Sequence, residues 1–192
     1  MGKGRLEAFS DGVIAIIITL LVLELKVPHG GDLHALSALW PIFASYTSSF
    51  IVVGINWNNH HHLLNSVKQV TGAVLWANLH LLFWLSLMPF ATGWMGENHF
   101  APMTVSLYGV VLFMTGVAYL ILARTLTGRH NLQSEATIQA GANLKLKVSM
   151  VLYLVGISLA FVNEWISLAL YASVAVIWFI PDRRFEQSHA AP

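Results

Sequence analysis

From about Leu6 to Val27 the chain is apolar at almost every position. The run is entered through Arg5, Glu7, Ser10 and Asp11, interrupted at Thr19, and closed by Glu24, Lys26 and Pro28. About 20 helical residues at ~1.5 Å each cross the ~30 Å hydrocarbon layer of a bilayer, so this stretch predicts a first membrane span. Pro28, Gly30 and Gly31 then mark a turn. A second apolar stretch, about 35–64, ends in the polar run Asn56, Trp57, Asn58, Asn59, His60, His61 and His62, with Lys68 in a short loop beyond it. A third, about 70–92, carries Asn78, His80 and Pro89, and 93–102 reads as a loop with Trp94, Glu97 and His99. A fourth, about 103–126, contains Gly109, Thr115 and Gly116, small residues that let helices approach closely. The polar segment 127–143 predicts an interfacial loop with a helical turn. As one helix, 146–180 would be ~52 Å long, too long for one crossing. Asn163 and Glu164 divide it into spans of about 146–162 and 165–180. The pattern predicts an all-α membrane protein, one domain over 1–192 with six spans.

Composition supports this reading. Hydrophobic residues make up 56% of the chain and charged residues 10%, against about 25% charged in soluble domains. A bilayer is therefore the expected surrounding. No basic patch with interleaved aromatics points to nucleic acid, and with no cysteine there is neither disulfide nor thiol chemistry. With six spans, nine of the ten basic residues fall on the side of both termini and only Lys26 on the other. The positive-inside rule then makes both termini cytoplasmic. Glu7 and Asp11 inside the first apolar run argue against a cleaved leader, so it reads as a retained span. Arg5–Pro28 has no second copy, which gives no support to an inverted-repeat transporter.

A carboxylate and a hydroxyl within a lipid-spanning helix need protein or water to face, so the first helix is expected to line an ion pathway. At ~100° per residue, Ile16, Thr19, Leu20 and Leu23 fall on one stripe, extended by Gly12 and Val27, with Asp11 about 140° from Ile16. On periodicity alone the stripe reads first as packing against the bundle; the other reading is an apolar passage with a hydroxyl in it. Asp11 lies ~7 Å inside the cytoplasmic edge. At that depth Arg5, Ser10, Asp11, His60 or His61, and Asn78 are expected to form one buried polar network, with a proton relay through Asp11 and a histidine as the other use. Three adjacent histidines diverge around a helix and cannot share one metal. His29, His34, His99, His130 and His189 are expected in solvated loops or tails. Ser10 beside Asp11 diverges in the same way and reads as a cap, and no nucleophile elbow occurs, so no enzyme is expected. Trp40, Trp57, Trp94, Trp165 and Trp178 read as an interfacial belt, and Trp76 and Trp84 as packing between helices.

The start Arg5-x-x-x-Phe9-Ser10-Asp11-Gly12, the following Ile16-x-x-Thr19-Leu20-Leu21-x-Leu23-Glu24-Leu25 run, Trp57-x-x-His60-His61, and Asn78 with Pro89-Phe90 closely resemble the prokaryotic members of the transmembrane protein 175 family of potassium channels. The resemblance spans the chain, which has one copy of the motif. It implies a six-span subunit, a homotetramer, potassium as the permeant ion with no cofactor, and a pore lined by first helices in a prokaryotic plasma membrane. It implies an apolar constriction at Ile16, further rings at Leu20 and Leu23, and a hydroxyl layer at Thr19. Arg5, Phe9, Ser10 and Asp11 would then belong to a structural network. Without a TVGYG sequence, selectivity over sodium would be modest. The competing readings are a proton-coupled transporter using Asp11 and His60, and a non-conducting structural membrane protein.

Overall fold

The computed structural model describes residues 2–65, 70–127 and 136–179. These residues are helical apart from short connections: α1 (Lys3–Leu23), α2 (Leu33–Ser37), α3 (Trp40–Asn65), α4 (Gly72–Ser86), α5 (Met88–Glu97), α6 (Pro102–Thr127), α7 (Ala136–Leu159) and α8 (Glu164–Phe179). Lys3–Leu23, the continuous rod Gly72–Glu97, and Pro102–Leu126 are long and apolar enough to cross a membrane. The protein is an integral membrane protein.

Local chemistry sets the helix ends. Asp32 caps α2 by accepting from the Ala35 N–H at 2.8 Å. Asn163 caps α8 through Oδ1, which accepts from the N–H groups of Trp165 and Ile166. The α4–α5 rod breaks at Leu87 because Pro89 has no N–H to give Leu85. Leu87 N–H turns to Trp84, and the freed Phe83 carbonyl accepts from Ser86 Oγ at 2.7 Å.

Several expected boundaries move. α1 ends at Leu23 rather than Val27, and the second apolar stretch is a short α2 followed by α3. Residues 93–97, expected in a loop, continue α5, because Gly93 and Gly96 are packing positions. A methyl at Gly96 would sit 3.0 Å from Ile42 Cα, and one at Gly93 would overlap the Glu24 carboxylate. Much of the expected 127–143 loop is helix, since α7 begins at Ala136. Lys68, Arg129, His130, Arg183, Arg184 and His189 lie outside the described residues. Trp76 is 76% exposed and does not pack between helices within this chain.

α1 packs against α3, α4 and α5, while α6, α7 and α8 form the outer part of the bundle, with α8 returning to α3. Leu6, Ile14, Ile17 and Leu21 carry α1 into the core. A second polar group sits where α3, α5 and α6 meet: Thr92 Oγ1 is 2.7 Å from Ser49 Oγ, which is 3.0 Å from Tyr108 Oη. At the end of the bundle holding Glu97, His99 and Phe100 adopt positive φ values of 50° and 61°. That turn seats Phe100 between Trp40 and Trp165, at centroid distances of 5.5 and 5.4 Å.

Close approach decides one more element. Tyr171 of α8 reaches past Gly156 to Gly109, where an added methyl would overlap its hydroxyl and come 2.9 Å from Ile157 Cγ1. Overpacking of this kind costs roughly 1–3 kcal/mol. Gly109→Ala is expected to lower the unfolding temperature of the detergent-solubilised protein. Gly116→Ala, inside α6 and with nothing within 4 Å of the added methyl, is expected not to lower it and to raise it slightly, since glycine within a helix is less favourable than alanine.

Candidate functional site

α1 has two faces. Leu6, Ser10, Ile14, Ile17 and Leu21 are buried. On the other side Phe9, Gly12, Ile16, Thr19, Leu20 and Leu23 are exposed, with Ile16 at 59% and Leu23 at 75%. The stripe found from periodicity is thus the face that its own chain leaves uncovered. It is apolar except for Thr19. The Thr19 hydroxyl donates to the Ile16 carbonyl at 2.8 Å, so its oxygen keeps its acceptor lone pairs free to face outward. A carboxylate is absent from this stripe between Gly12 and Leu23.

The expected polar network divides into two. Ser10, Asn78 and His60 form a buried chain from α1 through α4 to α3. Its direction follows from the one group that can only accept. Ser10 Oγ donates to the Leu6 carbonyl at 2.9 Å, Asn78 Nδ2 donates to Ser10 Oγ at 2.9 Å, and Asn78 Oδ1 therefore faces His60 Nε2 at 2.7 Å. His60 then carries its proton on Nε2. Asp11 is exposed and stands apart from this chain; Trp57 Nε1–H of α3 donates to its Oδ1 at 3.0 Å. His61 stacks on Trp57 at 6.3 Å, while Arg5 and Phe9 are exposed.

The reason for the division is angular. Relative to Ile16, Asp11 lies about 140° to one side and Ser10 about 120° to the other. Ser10 reaches α4, Asp11 reaches α3, and the exposed stripe lies between them. One buried cluster was geometrically closed to two adjacent helical residues.

Sequence reasoning placed Trp57 in an interfacial belt and missed its bond to Asp11. The available signal was an indole N–H near an intramembrane carboxylate at similar depth. It also missed the contacts at the other end of α1, where Lys26 Nζ pairs with Glu97 at 2.6 Å and Glu24 lies against Gly93. His80, also unassigned, accepts from Trp84 Nε1–H at 3.0 Å. Among the described residues no three metal-ligating side chains converge.

The family model described as endosomal/lysosomal potassium channel TMEM175 matches residues 5–89, the part of the chain holding the stripe, Asp11–Trp57 and the Ser10–Asn78–His60 chain. A potassium channel of a Chryseobacterium species is 51% identical over 188 residues, covering 98% of each chain. The crystal structure of a lysosomal potassium-selective channel TMEM175 homologue from Chamaesiphon minutus superposes with a TM-score of 0.79 at 29% identity, covering 98% of each chain. The human endosomal/lysosomal proton channel TMEM175 is 39% identical over 103 residues, 47% of this chain and 20% of that protein. With the fold, the motif at the start of α1 and a full-length relative at half identity in agreement, this chain belongs to the TMEM175 family.

Proposed function

We propose that the protein is a potassium channel whose pore is lined by the exposed stripe of α1 from several copies, four by resemblance to the family. It is not an enzyme. The observation that carries this reading is the uncovered apolar face of α1 with a single hydroxyl, that of Thr19, on it. One helix cannot enclose a pore, so the stripe of each copy faces a shared axis. Ile16 forms the narrowest ring, and Leu20 and Leu23 form further apolar rings. An apolar constriction blocks ions by dewetting and conducts when widened enough to hydrate. It strips no hydration shell, so preference for potassium over sodium is modest and draws on the Thr19 oxygens. Ser10, Asp11, His60 and Asn78 hold α1 in place, with His61 stacked on Trp57; Arg5 and Phe9, which the family resemblance gives to the same network, are exposed, Phe9 on the stripe side of α1. The permeant ion is K+, with no cofactor.

Each subunit crosses the membrane six times, through α1, α3, the α4–α5 rod, α6, α7 and α8. Both termini are cytoplasmic in a prokaryotic plasma membrane, since Lys3, Arg5, Arg124, Lys145 and Lys147 share one end by helix direction and the positive-inside rule applies.

Potassium flux into proteoliposomes, compared with sodium, tests the reading. Channel conduction gives rapid, non-saturating K+ flux that exceeds Na+ flux. Saturable uptake driven by a pH gradient replaces it with the proton-coupled reading, and absence of flux leaves a structural protein. Thr19→Val keeps the side-chain shape and deletes the oxygen. It is expected to preserve K+ flux and reduce the K+/Na+ preference severalfold, read from the reversal potential under bi-ionic conditions. An unshifted reversal potential removes Thr19 from selectivity.

A further inference from the structure

Partway along the bundle, α3, α6, α7 and α8 enclose a pocket of about 50 Å³, and no residue of α1 lines it. Its lining mixes apolar side chains with Asn56, Asn59, Thr115, Tyr119, Ser149 and Tyr153, and carries no charged group. Some of these polar groups are satisfied locally. Asn56 Nδ2 donates to the Val52 carbonyl at 2.9 Å and Thr115 Oγ1 to the Val111 carbonyl at 2.8 Å. Ser149 Oγ donates to the Lys145 carbonyl and accepts from Trp178 Nε1–H. Among the described residues, the Asn59 amide and the hydroxyls of Tyr119 and Tyr153 have no protein partner. Tyr153 is only 9% exposed. Yet among the described residues Glu7 Oε1 is the single fully enclosed side-chain polar atom that lacks a partner. The two hydroxyls therefore reach space open to a water-sized molecule, and the space that both side chains line is this pocket.

Size and chemistry select the occupant. A drug-sized ligand needs roughly 300–1,000 Å³, and a benzene-sized one about 150 Å³. Water takes ~30 Å³ in the liquid and seeks about two to four polar partners, so one or two molecules fit by volume and by bonding. A hydrocarbon chain in the same space would leave the three polar groups unpaired, which buried polar groups avoid. Gly116 forms the α6 side of the pocket, and an added Cβ there meets nothing within 4 Å.

We propose that this pocket is an internal water site, held by Asn59, Tyr119 and Tyr153, that joins α3 to α6 and α7. α3 packs mainly on α5, α1 and α8, so at this level water stands in for direct contact with α6 and α7. Asn56 and Asn59 share two turns of α3 with Trp57 and His60, whose bonds reach Asp11 of α1 and Asn78 of α4. Bracing the back of those turns steadies the front that holds α1. The water site does not depend on what α1 lines; its effect on flux rests on the pore reading.

A microsecond X-ray pulse makes hydroxyl radicals from bound water on the spot, so a buried side chain beside water is labelled early. In the detergent-solubilised protein, Tyr153 is expected to be labelled several times faster than Tyr108, which is buried and bonded to Ser49. Gly116→Leu puts hydrocarbon into the pocket. It is expected to bring Tyr153 labelling down to the Tyr108 level and to lower the unfolding temperature, with Tyr153→Phe in the same background recovering part of the loss. Tyr153→Phe alone adds no bulk and is expected to lower the unfolding temperature slightly. In a pocket filled by a lipid chain or left dry, Gly116→Leu and Tyr153→Phe both raise it. Such a rise, or parent Tyr153 labelling no faster than Tyr108, overturns the water site. Labelling is read without flux, so it stands or falls apart from the pore reading. Where Gly116→Leu stays folded, its potassium flux is expected to fall below the parent's; lost labelling with unchanged flux keeps the site and overturns its link to α1.

Discussion

Ile16→Asn is expected to raise potassium flux about tenfold and to flatten the preference over sodium. The tenfold figure corresponds to lowering the barrier by about 1.4 kcal/mol. Ile16 is the first large apolar side chain on the uncovered face of α1 above the Asp11 level, and its own chain leaves 59% of it exposed. A ring of such side chains excludes water, and an ion meets the dry gap with its hydration shell intact. An amide of similar length offers donors and acceptors, wets the gap, and removes the step that favours closure. Sodium and potassium then pass through a hydrated opening that distinguishes them poorly. The measurement is flux and reversal potential in proteoliposomes beside Ile16→Val, expected to stay close to the parent. Ile14→Asn supplies the contrast. That side chain is 1% exposed, so an amide there is buried in the core and is expected to lower the unfolding temperature and the folded yield. Unchanged current and selectivity in Ile16→Asn would remove this residue from the constriction.

What was legible in the chain was legible through periodicity. The stripe of Ile16, Thr19, Leu20 and Leu23 needs only the helical repeat, but its exposure does not follow from that repeat, which read first as packing against the bundle. The ends of helices were less so. Gly93 and Gly96 carry the sequence signature of a loop, but they are there to admit Glu24, Ile42 and Ser45 at close range. A glycine needed for packing and a glycine needed for a turn look alike until the neighbouring helix is in view. The same holds for tertiary polar contacts. Ser49, Thr92 and Tyr108 are far apart in the chain and carry no shared spacing, so their meeting had no sequence signal. The single network around α1 was a different matter. Ser10 and Asp11 are ~100° apart on any helix, and that fact alone separates the buried chain to α4 from the exposed bond to Trp57. The exposed Trp76 is a third case: depth in a span says nothing about which way a side chain turns.

The second large effect belongs to Asn78, the only residue of the buried polar chain that touches both of its neighbours. Asn78→Leu keeps roughly the volume and leaves the His60 Nε2–H without an acceptor and Ser10 Oγ without its donor. Both partners are buried. An orphaned buried polar group costs about 1–3 kcal/mol, whereas hydrogen bonds between membrane helices average about 0.6 kcal/mol and reach about 1.7. Two such losses together give an expected destabilisation of about 2 kcal/mol. The smaller membrane figure governs the Ser10 side, because Ser10 keeps its bond to the Leu6 carbonyl. The larger one governs His60, whose ring is enclosed. Replacing both ends of that bond, His60→Leu with Asn78→Leu, leaves no orphaned donor on α3 and is expected to cost less than the two single changes added together. Thermal unfolding of the four proteins in detergent completes the cycle. Flux adds a readout beyond stability. Because Ser10 is the α1 end of the chain, loosening it frees the inner turns of the pore-lining helix, and Asn78→Leu is expected to conduct less than the parent at temperatures where both remain folded. Additive melting losses with unchanged flux would reduce Ser10, Asn78 and His60 to three independent core positions.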